Sequence, residues 1–222
     1  MINIAIDGPA CSGKTVVADR LAQLMGIYHM NTGALYRAIA MNLLNKGVNV
    51  ENPEEVKKAV RGMVLDVDFV GGEQVTTINK KSVIGKIYAV EISHAAAMIS
   101  PIKEVREICV KAQRDAAKKY NIVIEGRDIT SVVLPRARYK FFITASLKTR
   151  ALRNLEKLKA NSDKEITFDD ALKDIVERDS ADMTREISPL KLTKDSIYID
   201  TDKYSVDEVV SILYGYINKG RN

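Results

Sequence analysis

Residues Gly8 to Thr15 read GPACSGKT, which fits the pattern glycine, four residues of any kind, glycine, lysine, then serine or threonine. The pattern carries a mechanism. Two glycines allow a tight turn whose successive N–H groups converge, and the positive end of a following helix adds to their pull on phosphate oxygens. Lys14 is placed to neutralise β and γ phosphates, and the Thr15 hydroxyl to ligate Mg2+. The flanks agree: Asn3 to Asp7 (NIAID) is an apolar run of strand type, and Val16 to Met25 (VVADRLAQLM) has the apolar spacing of a helix. The expected ATP-binding segment is therefore Gly8, Pro9, Ala10, Cys11, Ser12, Gly13, Lys14, Thr15 and Val16. By itself it indicates a nucleoside triphosphate and does not distinguish a kinase from a GTPase or a motor.

Outward from this loop, strands and helices alternate. Ile27 to Met30 reads as a second strand ending in Asn31-Thr-Gly33, followed by an amphipathic helix over Ala34 to Asn45. A helix opens at Asn52-Pro-Glu-Glu55, and Leu65 to Ile78 alternates around Gly71-Gly72 like a small hairpin that interrupts the rhythm. Helices are expected over Ile84 to Met98 and Ile102 to Lys119. Ile122-Val-Ile124, Tyr139 to Thr144 and Ser196 to Ile199 complete a set of five short strands, and the charged stretch from Lys148 to Leu190 reads as helical. The expected fold is α/β, a five-stranded parallel sheet covered by helices. Ligands in such sheets collect beyond the carboxyl ends of the strands, where the glycine loop, Asn31-Thr-Gly33, Glu125-Gly-Arg-Asp128 and Thr144-Ala-Ser146 fall.

The chain of 222 residues, 46% hydrophobic and 28% charged, suits one globular unit with insertions. It contains no apolar stretch long enough to span a membrane, and its start runs straight into a strand without a leader, so a cytoplasmic location and no membrane partner are expected. Cys11 and Cys109, with His29 and His94, are too few for a disulfide framework or a structural metal site. The net charge of +5 is spread among acids without a basic tail, so a small polyanionic substrate explains the excess as well as nucleic acid does, and no nucleic-acid partner is expected.

Phosphoryl transfer needs fixed positive charge around the donor and acceptor oxygens, and the planar guanidinium meets that need. Arg37 and Arg127 lie at strand ends. Arg150, Arg153, Arg178 and Arg185 follow in the charged helical stretch, either as a basic clamp or, for Arg150, Arg153 and Arg178, as solvated faces paired with neighbouring acids such as Glu177 and Asp179. Glu125 either holds the Mg2+ shell through water or caps the turn after its strand. Asp128 and Asp182 are candidates to accept hydrogen bonds from a base amino group or a ribose hydroxyl, which points to a nucleotide acceptor. Cys11, close to Lys14, is either a reactive thiol or a small residue the loop accepts.

IAIDGPACSGKT, NTGALYRAIA, VREICVKAQR, IEGRDITSVVLP, ERDSADMTREISPLK and YIDTDKYSVDEVV, in this order and spacing, resemble bacterial cytidylate kinases over nearly the whole chain. The resemblance implies a single P-loop kinase domain over 1–222. Its core covers 1–33, 121–147 and 191–222, its monophosphate-binding region with an insert covers 34–120, and a lid covers 148–190. It implies ATP with Mg2+ as phosphoryl donor, CMP or dCMP as acceptor, and a monomer. By motif position Thr32, Arg106 and Asp128 resemble base-contacting residues, and Arg37 and Arg127 those that grip the acceptor phosphate. Asp182 and Arg185 resemble the pair on the ribose and phosphate side, with Arg178 near them. Lys14, Arg127, Arg178 and Arg185 are the expected catalytic set, Arg150 and Arg153 join the ATP-binding loop, and Thr15 with Glu125 forms the metal side.

The chain departs from the family pattern at Ala10, Cys11 and Ser12 in the loop, and at Asn31 and Glu125, where aspartates are usual. Thr130-Ser131 and Ala97 also differ, the last at the position of a serine that touches cytosine in some members. These bear on base preference rather than on phosphate handling. Alternative readings are a kinase for UMP or another small acceptor and, from a different class, a P-loop ATPase or nucleotide-binding regulator.

Overall fold

A computed structural model describes residues 1–83, 87–160 and 165–220. The chain divides into two units, Met1–Met30 with Tyr120–Asn222, and Asn31–Lys119.

In the first unit, strand β1 (Asn3–Asp7) leads through the glycine loop into helix α1 (Lys14–Met25). The helix begins two residues earlier than its apolar spacing predicts. Gly13 takes a left-handed φ of 92°, a conformation that costs glycine little, and the helical turn starts directly after it. Gly8 is required for a different reason: a Cβ there would lie 1.9 Å from the carbonyl oxygen of Ile143. The loop thus runs against the strand Tyr139–Thr144 with no space for a side chain.

Strand β2 (Tyr28–Asn31) lies at one edge of a five-stranded sheet, in which it is followed by Ile122–Gly126, β1, Tyr139–Thr144 and Ile197–Asp200. β1 runs parallel to both of its neighbours, and Ile197–Asp200 runs parallel to Tyr139–Thr144. This is the α/β P-loop architecture expected from the sequence. Its core is built from Ile4, Ile6, Phe141 and Ile143 of the sheet, Val17 and Leu21 of α1, and Val209 and Leu213 of the last helix, Val206–Lys219, all fully buried. Strands buried on both faces read as continuous apolar runs, which is why these segments were legible.

In the second unit, helix α2 (Thr32–Asn45) is N-capped by Asn31, whose side chain accepts a hydrogen bond from the Ala34 N–H at 3.2 Å. Helix α3 (Pro53–Val60) follows, capped by Asn52 with a proline at its start. The hairpin is present as β3 (Leu65–Val70) antiparallel to β4 (Glu73–Ile78), and a short third strand, β5 (Lys81–Ser82), extends it. Two charged or polar residues carry no apolar alternation, so β5 left no sequence signal. Helix α4 (Val90–Ile99) starts later than the expected Ile84, because Ala89 is extended with ψ 148°; residues 84–86 lie outside those described. Helix α5 (Lys103–Lys119) closes the unit, packing on α2, α3 and β3.

The chain returns to the first unit with β6 (Ile122–Gly126) and a π-helical turn, Ile129–Val133, that the sequence did not disclose. Strand β7 (Tyr139–Thr144), helices α6 (Leu147–Ala160) and α7 (Phe168–Thr184), β8 (Ile197–Asp200) and α8 (Val206–Lys219) complete it. α6 and α7 pack on each other and account for the charged helical stretch. No helix among the described residues is long and apolar enough to cross a membrane.

Candidate active site

The glycine loop hangs from β1 and is gripped from behind. Lys14 is buried and donates to the Pro9 carbonyl at 2.7 Å and to Ser12 Oγ at 3.2 Å. Burial and, secondarily, the positive charge of Arg127 lower its pKa to about 7. A bound phosphate would restore the full charge. Cys11 sits at φ 56° and its thiol faces the Asn154 carboxamide oxygen at 3.5 Å.

Two arginines of α6 reach this loop. Arg150, 8% exposed, pairs with Asp179 of α7 and donates to the carbonyls of Ala10 at 3.3 Å and Ala145 at 3.1 Å. Asp179 in turn accepts from the Ala10 N–H at 3.2 Å, so one buried ion pair holds both backbone groups of a loop residue. Arg153 donates to Thr201 Oγ1 at 3.0 Å and to the Cys11 carbonyl at 3.5 Å, and Thr201 donates to the Ser12 carbonyl at 3.2 Å. Neither arginine forms a solvated face. Arg178, whose side chain is 36% exposed, pairs with Asp174 one turn back, not with Glu177 or Asp179.

Beyond β6, Arg127 and Asp182 form an ion pair at 2.7 Å, and Asp182 also receives Arg185 Nη1 at 3.2 Å. Arg185 Nε donates to the Ser188 carbonyl at 2.7 Å. Burial favours loss of the Arg127 proton, but Asp182, with Glu125 and Asp179, outweighs it and holds the guanidinium pKa above its ordinary value. For Asp182 burial likewise opposes charge, and Arg127 and Arg185 overcome it, keeping its pKa below the usual carboxylate range. Two permanent cations are thus fixed around one carboxylate that presents further acceptor capacity.

Thr15 Oγ1 donates to Glu125 Oε1 at 2.8 Å, and Glu125 is buried at the end of β6. A hydroxyl and a carboxylate are hard oxygen donors that suit Mg2+. Among the described residues no group of three or more His, Cys, Asp or Glu could hold a metal by itself, so triphosphate oxygens and water would have to complete a shell there.

The second unit carries the other expected residues. Thr32 is buried as the first residue of α2. Arg37, one turn further, lies over the Tyr88 ring at 4.5 Å from its centre. Arg106 is 3% exposed, donates to the Ser100 carbonyl at 3.2 Å and lies 5.8 Å from the centre of the Tyr36 ring. Asp128 is buried beside the π-helical turn, where its carbonyl accepts from the Val132 and Val133 N–H groups.

Sequence reasoning missed four supporting residues. Asp7, at the buried end of β1, accepts from the N–H groups of Ile129 and Thr130 and from the Thr130 hydroxyl. An acid ending an apolar strand was a readable signal. Asp179 was readable too, as a carboxylate continuing the buried stripe of Ala171 and Ile175 on α7. Thr201 and Gln74 carried no such signal.

Comparison with known proteins identifies the family. The cytidylate kinase family model matches residues 4–219. A cytidylate kinase of Caldanaerobacter subterraneus subsp. tengcongensis is 41% identical over 98% of this chain and 95% of its own. One from Caldicellulosiruptor saccharolyticus is 39% identical over 94% of this chain and 92% of its own. Among solved structures, an uncharacterized protein from Eubacterium ventriosum shares the fold, with a TM-score of 0.56 at 16% identity over 98% of this chain and 99% of that one. With a phosphate loop, a guanidinium cluster beside it and relatives matched along nearly their whole length, the chain belongs to the cytidylate kinase family, enzymes that act as nucleoside monophosphate phosphotransferases.

Proposed function

We propose that the enzyme transfers the γ-phosphoryl group of ATP, with Mg2+, to CMP and dCMP. The observation that carries this reading is the Arg127–Asp182–Arg185 cluster beside the phosphate loop. It offers fixed positive charge to phosphate oxygens and a carboxylate to a ribose hydroxyl, which suits a nucleotide acceptor better than water.

In this reading the loop amides from Cys11 to Val16 and Lys14 cradle the triphosphate, while Arg150 and Arg153 hold the loop in shape from α6. Thr15 and Glu125 hold Mg2+, which when bound neutralises charge on the donor phosphates. Arg127, Arg185 and Arg178 bind the oxygens on which charge develops, and Asp182 orients the ribose. Asp128 accepts from the cytosine amino group. In the second unit Thr32 and Arg106 recognise the base and Arg37 binds acceptor phosphate. The acceptor oxygen is already anionic, so the reaction needs alignment and charge neutralisation rather than a strong general base.

The test is ADP production by the purified protein with ATP and Mg2+, run in parallel against CMP, dCMP, UMP, AMP and no acceptor. Fast ADP formation only with CMP and dCMP is the expected result. Equal rates with UMP would keep the chemistry and withdraw the base preference, whereas ADP formed without acceptor would replace the kinase by an ATPase.

A further inference from the structure

Asn31 stands at a junction of the second unit. It caps α2 through its side chain, and Thr32 follows it directly as the first helical residue. It is also the last residue of β2, a strand at the edge of its sheet, and an edge strand leaves part of its backbone without a neighbouring strand.

Gln74 of β4 fills that role. Its carboxamide oxygen accepts the Asn31 N–H at 2.9 Å, and its Nε2 donates to the Asn31 carbonyl at 3.4 Å. A primary amide has one acceptor and one donor side in a plane, so it can pair with both polar groups of one residue as a neighbouring strand would. Nε2 also reaches Thr76 Oγ1 at 3.4 Å, which steadies the amide from its own strand. Gln74 sits opposite Phe69 in the β3–β4 register, so its backbone is fixed by the hairpin. Asn31 is consequently held through its N–H, its carbonyl and its side chain. A shift of its peptide would move the Thr32 hydroxyl and the first turn of α2, which also carries Arg37.

We propose that Gln74 is a positioning residue for acceptor recognition: the hairpin reaches through its amide to the Asn31 backbone and sets the placement of Thr32. This rests on the reading of Thr32 as a base-recognition residue given above. The inserted hairpin then has a task beyond filling space, because its only polar reach to the Asn31 backbone among the described hydrogen bonds is this side chain.

The test compares wild type, Gln74→Ala and Gln74→Glu in steady-state ADP production with CMP and with UMP. Thermal melting of each protein runs alongside. Losing two neutral hydrogen bonds should raise the KM for CMP about five- to tenfold in Gln74→Ala, and leave the KM for ATP within about twofold. The preference for CMP over UMP should shrink with it. Gln74→Glu keeps the acceptor for the Asn31 N–H and loses the donor, and is expected to fall between the two. An unchanged KM for CMP in Gln74→Ala would overturn the proposal. So would a parallel loss in both KM values together with a lowered melting temperature, which would mark a merely structural residue. A wild-type protein that does not phosphorylate CMP would instead refute the functional reading itself.

Discussion

Asp7 ends the buried strand β1 with both carboxylate oxygens occupied by hydrogen bonds from Ile129 and Thr130. Burial nevertheless dominates and raises its pKa from 3.8 to about 6, against the pull of those donors. The folded chain therefore holds a proton between about pH 4 and pH 6 that the unfolded chain has released. Its contribution to stability is complete at the acid end, declines as pH rises through this window and is flat above it. Asp7→Asn cannot titrate, so the stability of the variant relative to wild type should improve across the same window, by up to ~3 kcal/mol. Denaturant unfolding at several pH values reads this directly, and a difference that stays constant between pH 4 and 6.5 would refute it. Arg127 makes a second prediction at this scale. Arg127→Ala should lower kcat about 10²–10³-fold with ATP affinity nearly unchanged. Arg127→Lys should not restore it, since an ammonium lacks the planar fork that meets Asp182 and phosphate together. Wild-type turnover in Arg127→Ala would remove the residue from the catalytic set.

Helix α7 is the element that ties the functional residues of the first unit together. Its capping box of Thr167 and Asp170 fixes where it begins, and from that start Asp179 falls against the glycine loop and Asp182 against Arg127 and Arg185. Asp179→Ala should destabilise the protein by about 3–5 kcal/mol, because it leaves Arg150 buried without its carboxylate. Arg150→Met combined with Asp179→Leu should recover part of that loss, because an apolar pair removes both charge-desolvation costs at once while the Ala10 and Ala145 backbone groups lose their partners. If the double variant is no more stable than Asp179→Ala in denaturant unfolding, the buried pair is not the source of the loss. The contrast within α7 also shows what the sequence can disclose. Its helical character, the strands β1, β6 and β7, and the hairpin follow from periodicity that depends on neighbours a few residues away. The pairing of Arg178 with Asp174 rather than with Glu177 or Asp179 is an i, i+4 contact along one helical face and is local, since adjacent residues point away from each other. The burial of Arg150 and Arg153 depends instead on how α6 lies against the loop, 140 residues or more away along the chain, and that is tertiary. The π-helical turn after Asp128 depends on acceptors supplied by Asp7, 122 residues away along the chain, and no local pattern reports such a partner.

At the scale of the whole molecule, ligand binding and stability are linked. The chain's net charge of +5 has no basic tail to gather it, whereas the loop gathers converging amides, a buried Lys14, the guanidinium groups of α6 and that of Arg127 just beyond β6 into one part of the first unit. A polyanion should therefore stabilise that unit specifically. By mass action, MgATP at about 100 times its Kd adds ~2.7 kcal/mol to the folded state it binds. For a chain of this size that corresponds to a rise of about 5–10 °C in the melting transition. Lys14→Met removes the cation proposed to face the β and γ phosphates and should abolish most of the rise while leaving the ligand-free transition close to wild type or higher, since the cost of burying a charged lysine disappears with it. Differential scanning calorimetry of both proteins, with and without MgATP, makes the comparison. If wild type does not shift, the loop is not a triphosphate site; if Lys14→Met shifts as much as wild type, the loop amides bind without help from the lysine.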